Sequence, residues 1–328
     1  MKPKVIKTVA DLLTYTSKHL LERDRYETSK TTQNVMNSLM KFVRHTDLSL
    51  SDITPSFLKS YEKYLLLNGH NWNTISLYMR TLRSACNRAK ERRLVKLSDT
   101  LFNDVFTGYV PSYKRSVPID VIGRVRRAVL DGKNKRLAFA RDLFMLSFYL
   151  RGIPFVDLAH LRKEDIRDGV LHYRRRKTGK VLAVYIEPCA RDIIDRYISQ
   201  TSGSPYLLPI IHRYGDVDVF RQYESALRLY NKHLQTLADY LNLGVKLTSY
   251  VPRHSWANIA HENGVSIADI SASLSHSSEK VTKEYLQEFT ADRLADVNHF
   301  VIGIIKGMYK NGIPIGTIEG YKRYSGSL

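Results

Sequence analysis

The sequence predicts a mainly α fold with one small β-sheet, arranged as an N-terminal helical bundle followed by an α+β domain. Three observations carry this. Apolar residues recur at helical spacing through most of the first 110 residues. One stretch, Val170 to Ile186, switches to strand character around a turn. Between them, residues 99–117 (DTLFNDVFTGYVPSYKRSV) break the helical pattern with Gly108 and Pro111. A chain of 328 residues is long enough for two cores.

Each element has a local reason. Residues 8–22 and 31–43 repeat apolar groups every three or four positions. Thr54-Pro55 supplies a cap and a first-turn proline for a helix that Gly69 ends. Asn71 to Arg93 carries Ile75, Met79, Leu82 and Cys86 on one face. Its other face shows Arg80, Arg83, Arg88, Arg92 and Arg93. Helices are expected over Ile119–Val129 and Leu137–Leu150. Gly152 ends the second, and Pro154 opens another after a tight turn. Two strands flank Thr178-Gly179-Lys180, and helices return over Pro188–Ser199 and Val219–Leu241. Arg253 starts a helix that Gly264 stops. Ser266 caps the next, with Asp269 in capping-box position, and Ser277 caps one that carries Tyr285. The expected divisions are residues 1–108 as the bundle, 109–117 as linker, 118–290 as the second domain, and 291–328 as a C-terminal helix and loose tail.

Lys and Arg number 51 against 32 Asp and Glu, a formal net charge of +19. Residues 1–110 carry +8 of this and the remainder +11, so both domains are basic and the expected partner is a polyanion. A basic protein without a specific partner, such as a ribosome-associated one, has the same balance. The arginine face of residues 71–93 reads as a solvated surface in an average protein, but the charge total favours phosphate contacts. Arg80, Arg83, Arg88, Lys114, Arg115 and Arg175 are the candidate contacts. Two cysteines in helical patterns argue against a disulfide framework and a zinc site. There is no apolar leader and no run of 18 apolar residues, so a soluble cytoplasmic protein is expected.

The chemistry concentrates between Thr248 and Phe289. Arg253 is followed 23 residues on by His276, and Tyr285 comes nine residues later. Arg151 stands at a helix end and Lys177 at the start of a hairpin turn. Helix ends let side chains and backbone N–H groups converge on an anion. Singly, each has an ordinary role: a helix-end charge, a solvated lysine, a structural histidine, one of 21 tyrosines. Their ordered set is the signal.

That set, with "YRRRKTGK", "VPRHSWAN" and "LSHSSEKVTKEYL", resembles the tyrosine recombinase (phage-integrase) family over nearly the whole chain. A bacterial branch with an altered first-arginine motif, resembling DNA invertases and transposon integrases, is similar in this segment. The resemblance implies a core-binding domain and a catalytic domain forming a C-shaped clamp on DNA. It implies that Tyr285 attacks a phosphate to form a 3′-phosphotyrosyl link and release a 5′-hydroxyl. Arg253 and Arg151 would clamp the phosphate, Lys177 would protonate the leaving oxygen, and His276 would bind the phosphate or take the tyrosine's proton. Neither a metal nor a cofactor is implied. Partners are double-stranded DNA with short inverted repeats and three further copies of the chain, linked through the apolar stretch Phe300–Ile305. Because helical patterning begins at residue 8, a simple invertase is expected rather than an integrase with distal arm sites.

The chain departs from the family pattern at three places. Tyr250 stands where His-X-X-Arg has its histidine, and a phenol there can still bond a phosphate. Ser275 replaces the glycine of Leu-Gly-His. Aligned on Gly152 and the acidic residue, the usual first arginine falls on Pro154, with Arg151 one helical turn earlier. Two other readings share the residues: a type IB topoisomerase-like enzyme, and a catalytically dead DNA-binding regulator.

Overall fold

The computed structural model describes residues 6–44, 48–93, 96–110, 115–130, 134–212, 216–276, 278–283, 286, 309–310 and 313–314. The chain divides into two compact units, residues 1–112 and 113–328. Among the described residues no helix is long and apolar enough to cross a membrane.

The first unit packs α1 (Val9–Leu21), α2 (Tyr26–Val43), α3 (Pro55–Leu67) and α4 (Trp72–Glu91) around Leu12, Leu39, Leu58, Tyr61 and Met79. Side-chain caps set three of the starts. Thr8 Oγ1 accepts from Asp11 N at 3.0 Å, Thr54 Oγ1 from Phe57 N at 3.2 Å, and Asn71 Oδ1 from Thr74 N at 2.9 Å. α2 starts five residues ahead of the expected Thr31. Its first turns bury a polar contact, Ser17 Oγ to Ser29 Oγ at 2.8 Å, so no apolar period marks them.

Residues 96–110 are not helical, yet Leu101, Phe102 and Val105 enter the core. Asn73 exchanges two hydrogen bonds with Val110, at 2.8 and 2.9 Å. Tyr109 and Val110, placed in the linker by sequence, thus continue a segment bonded to α4. Glu62 fixes the rest: it is 3% exposed, takes Lys59 Nζ at 2.7 Å, and accepts from Phe106 N at 2.6 Å.

The second unit contains α5 (Ile119–Arg127), α6 (Lys135–Tyr149), α7 (Phe155–Ala159), β1 (Ile166–Arg167), β2 (Val170–Arg174), β3 (Val181–Tyr185), α8 (Pro188–Asp195), α9 (Asp216–Tyr240), α10 (Val251–Glu262), α11 (Ile267–Ser273) and α12 (Glu279–Lys283). α6 is the central helix. Leu143, Phe144, Met145 and Leu146 are all buried, and α8, α9 and α10 pack around it. A helix buried nearly all round shows little amphipathic period.

The sheet is antiparallel in the order β1-β2-β3, with Leu171 opposite Val184 and Tyr173 opposite Leu182. β1 was not expected. It pairs with β2 through Asp168-Gly169, whose φ of 49° and 76° suit a tight hairpin turn. A second pair, β4 (Tyr309–Lys310) with β5 (Ile313–Pro314), lies in the tail expected to be loose. The expected C-terminal helix over 291–308, with Phe300–Ile305, lies outside the described residues.

Removing the Glu62 carboxylate strands the Phe106 N–H and frees the 96–110 segment. Glu62→Ala is expected to cost about 2–3 kcal/mol, measured by urea unfolding of the full chain; an unchanged midpoint would count against this docking role.

Candidate active site

The site begins where α6 ends. Gly152 N donates to Ser147 O at 2.8 Å, closing the turn across Arg151 (φ 56°) and Gly152 (φ 67°). Both residues take the left-handed conformation, which an arginine tolerates at a cost of about 1 kcal/mol. Gly152 is required for a second reason: a Cβ there would lie 2.6 Å from Arg253 Cα. The bare glycine lets the first turn of α10 press against this loop, and Arg253 is only 4% exposed.

The end of α11 repeats the device. His276 N donates to Ser271 O at 3.0 Å across Ser275, whose φ is 56°. Leu274 is held by a small core with Ala257, Ile270 and Leu286. Its carbonyl accepts from Arg253 Nη2 at 2.6 Å and from Arg175 Nη1 at 2.9 Å. Arg253 also donates to Gly152 O at 3.0 Å, and its Nη2 meets His276 Nε2 at 2.9 Å. One buried guanidinium thus joins the ends of α6 and α11 to the start of α10.

The β2–β3 hairpin closes the third side. Along β2 the side chains alternate, so Leu171, Tyr173 and Arg175 turn inward while His172, Arg174 and Arg176 face out. Arg175 was expected on DNA. It is buried at 6% exposure, with Nε 2.9 Å from Asp157 Oδ2 in an ion pair. Asp157 Oδ1 accepts from Arg176 N at 2.9 Å, so one carboxylate on α7 holds the strand end. Lys180, across the turn, donates from Nζ to His276 O at 3.0 Å.

The remaining candidates are placed as follows. Lys177 is exposed in the turn, near enough for its charge to act on His276. Arg151 is half-buried, and its Nη2 donates to Ala183 O on β3. Its charge reaches the Tyr173 hydroxyl, as do those of Asp157, Arg175 and Arg253. Tyr250 precedes α10 at 44% exposure, its ring centroid 6.3 Å from that of His254. Arg115 is exposed, and its charge acts on His254. Arg80, Arg83 and Arg88 line a groove on α4 with Ser84, Asn87 and Glu91, within the first unit. Lys114 and Tyr285 lie outside the described residues.

Sequence reasoning gave no role to Asp157, Lys180 or Thr282. Lys180 had a signal, since two lysines bracket the Thr178-Gly179 turn. Asp157 had one in the strand period, which turns Arg175 inward and demands an acid to meet it. Thr282 Oγ1 lies 2.8 Å from His276 Nδ1, and only the fold brings the two together.

The site's charge shapes its titration. His276 is pushed down to about 4 by burial first, then by Arg253, Arg175 and Lys177. His254 is pushed down to about 4 by burial, Arg115 and Arg253. Tyr173 is pushed up to about 12, chiefly by burial and then by Asp157. At neutral pH both imidazoles are neutral and the arginines supply the positive charge.

Residues 8–104 match the phage integrase SAM-like domain. No curated protein sequence matches the chain. Among solved structures, the Tn1549 transposon integrase in complex with a circular intermediate DNA is similar at 14% identity and a TM-score of 0.61, covering 90% of this chain and 99% of that one. A lambda integrase dimer bound to a COC′ core site is similar at 19% identity and 0.57, covering 85% and 95%. A lambda integrase tetramer bound to a Holliday junction matches at 17% and 0.56, covering 87% and 78%. The fold is therefore that of the integrases. Residues 8–104 thus carry the phage integrase SAM-like domain, and the likeness in fold to the solved integrases extends over 85–90% of the chain.

Two outcomes follow from the local geometry. Ser275→Gly removes left-handed strain and a buried hydroxyl that has no hydrogen-bond partner. It is expected to stabilise the protein by about 0.5–1 kcal/mol, read as a raised unfolding midpoint. His160, His254 and His276 all titrate near 4 when folded, against an ordinary value of 6.5. The unfolded chain therefore binds protons that the folded chain refuses, and stability falls as pH drops from 6.5 toward 4. Calorimetry at pH 5 should show uptake on the order of three protons on unfolding; no uptake would contradict the depressed values.

Proposed function

We propose that this chain is a site-specific DNA recombinase, cutting and rejoining DNA through a 3′-phosphotyrosyl intermediate. The observation that supports this best is the buried Arg253 guanidinium with His276 Nε2 at 2.9 Å, nine residues before Tyr285. A buried cation cluster held by backbone carbonyls is a preorganised receptor for an anion, and here the anion would be the scissile phosphate. Binding a pentavalent, more highly charged transition state more tightly than the resting phosphodiester is what would accelerate the reaction.

Tyr285 Oη attacks phosphorus and its proton passes to His276 Nε2. The 5′ oxygen leaves with a proton from a hairpin lysine, Lys177. Atoms and charge balance without an external energy source, because the phosphotyrosine keeps the bond for rejoining. Arg253 supplies one guanidinium. For the second, Arg175 is the better placed alternative to Arg151, because it shares the Leu274 carbonyl with Arg253 while Arg151 is turned to Ala183. Tyr250 lends a phenol at the rim, and the α4 arginines and Arg115 hold flanking phosphates.

The relatives favour recombination over simple relaxation. Both integrases described above were solved with DNA, one of them as a tetramer on a Holliday junction. The corresponding assembly here is four copies on two duplexes carrying short inverted repeats.

The test is a covalent trap. Protein is mixed with duplex DNA flanking its own gene, denatured, and examined for a protein–DNA adduct. The wild type should form one and Tyr285→Phe none, with Arg253→Ala slower by about 100- to 1000-fold. Arg151→Ala separates the two candidates for the second guanidinium: a rate within a few-fold of wild type assigns that role to Arg175. Tight binding by the wild type with no adduct would overturn the enzyme reading in favour of a DNA-binding regulator.

A further inference from the structure

His276 is held from both sides. A guanidinium nitrogen has only protons to offer, so at the 2.9 Å contact with Arg253 Nη2 the imidazole must present a lone pair on Nε2. A neutral imidazole then carries its proton on Nδ1. That nitrogen faces Thr282 Oγ1 at 2.8 Å, and so donates to it. Thr282 is 0% exposed and sits in α12, three residues before Tyr285.

We propose that Thr282 is a positioning residue whose hydroxyl fixes His276 as the Nδ1–H tautomer and keeps the Nε2 lone pair aimed into the arginine cluster. The role extends the strand-transfer reading and rests on it. When an incoming phosphate draws Arg253's protons to its own oxygens, the Nε2 lone pair no longer accepts from Arg253. It can then take the phenolic proton of Tyr285. The imidazolium so formed keeps its Nδ1–H bond to Thr282, so the ring need not rotate during the transfer. With the other tautomer, Nε2–H would face the guanidinium donors and the tyrosine's proton would have nowhere to go. Thr282 also ties the histidine to α12, which ends two residues before Tyr285 in the sequence.

Thr282→Val keeps the shape and removes the acceptor, while Thr282→Ser restores it. The deciding readout is the nitrogen-15 NMR spectrum of histidine-labelled full-length protein at pH 7.5. The His276 signals are assigned by their loss in His276→Gln. Wild type and Thr282→Ser should show a protonated Nδ1 and an unprotonated Nε2, and Thr282→Val a mixture. On DNA, adduct formation by Thr282→Val should fall roughly 10- to 100-fold with binding unchanged, and Thr282→Ser should recover most of it. An Nε2–H tautomer in the wild type, or the same tautomer in Thr282→Val, overturns the proposal. A tautomer that responds to Thr282→Val in a protein forming no adduct supports the positioning role and sinks only the strand-transfer reading.

Discussion

The carbonyl oxygen of Leu274 takes hydrogen bonds from two buried guanidinium groups, those of Arg253 and Arg175. Burying a cation is costly unless its protons find acceptors and an opposing charge lies near. Much of the local structure meets that demand. Gly152 O and His276 Nε2 satisfy Arg253, while Asp157 balances Arg175. The small core beneath Leu274 holds the shared carbonyl in place. Two arginines can stand side by side because three helix ends and a strand end converge there.

The same network explains why a hairpin with so many charges is ordered. The run Arg174-Arg175-Arg176-Lys177 would repel itself in solution. Here Asp157 bonds two of its backbone and side-chain groups, Arg174 caps the turn at Gly179 O, and Lys180 reaches the carbonyl of His276. The hairpin is thus tied to the histidine's turn from both of its strands. Lys177 is thus carried on a turn fixed by main-chain hydrogen bonds, Gly179 N to Arg175 O and Arg175 N to Lys180 O.

Much of this was legible in the sequence where local chemistry decides the outcome. Thr54 and Ser266 start helices because their side chains meet orphan backbone N–H groups. Arg253 and His276 stand together as their order suggested. Less was legible where the answer depends on partners far along the chain. Arg175 resembles a solvated charge until strand alternation puts it beneath the sheet, and nothing near Asp157 in sequence marks it as the counter-ion. α2 begins early because a serine pair replaces the apolar contact that periodicity would detect. Ser275 looks like a mild replacement for glycine, and only the backbone angle exposes its strain.

The two turns that end α6 and α11 are built alike, each closed by a hydrogen bond from the residue after a left-handed one back into the last helical turn. Such a closure has a fixed residue count. An extra residue in either turn would swing the following group, Gly152 or His276, by roughly a quarter-turn away from Arg253. Loop length at these two points is therefore as restricted as residue identity. Changes in length among descendants of this sequence should collect elsewhere, in connections such as that between α5 and α6, while these two turns keep their spacing through wide divergence in composition.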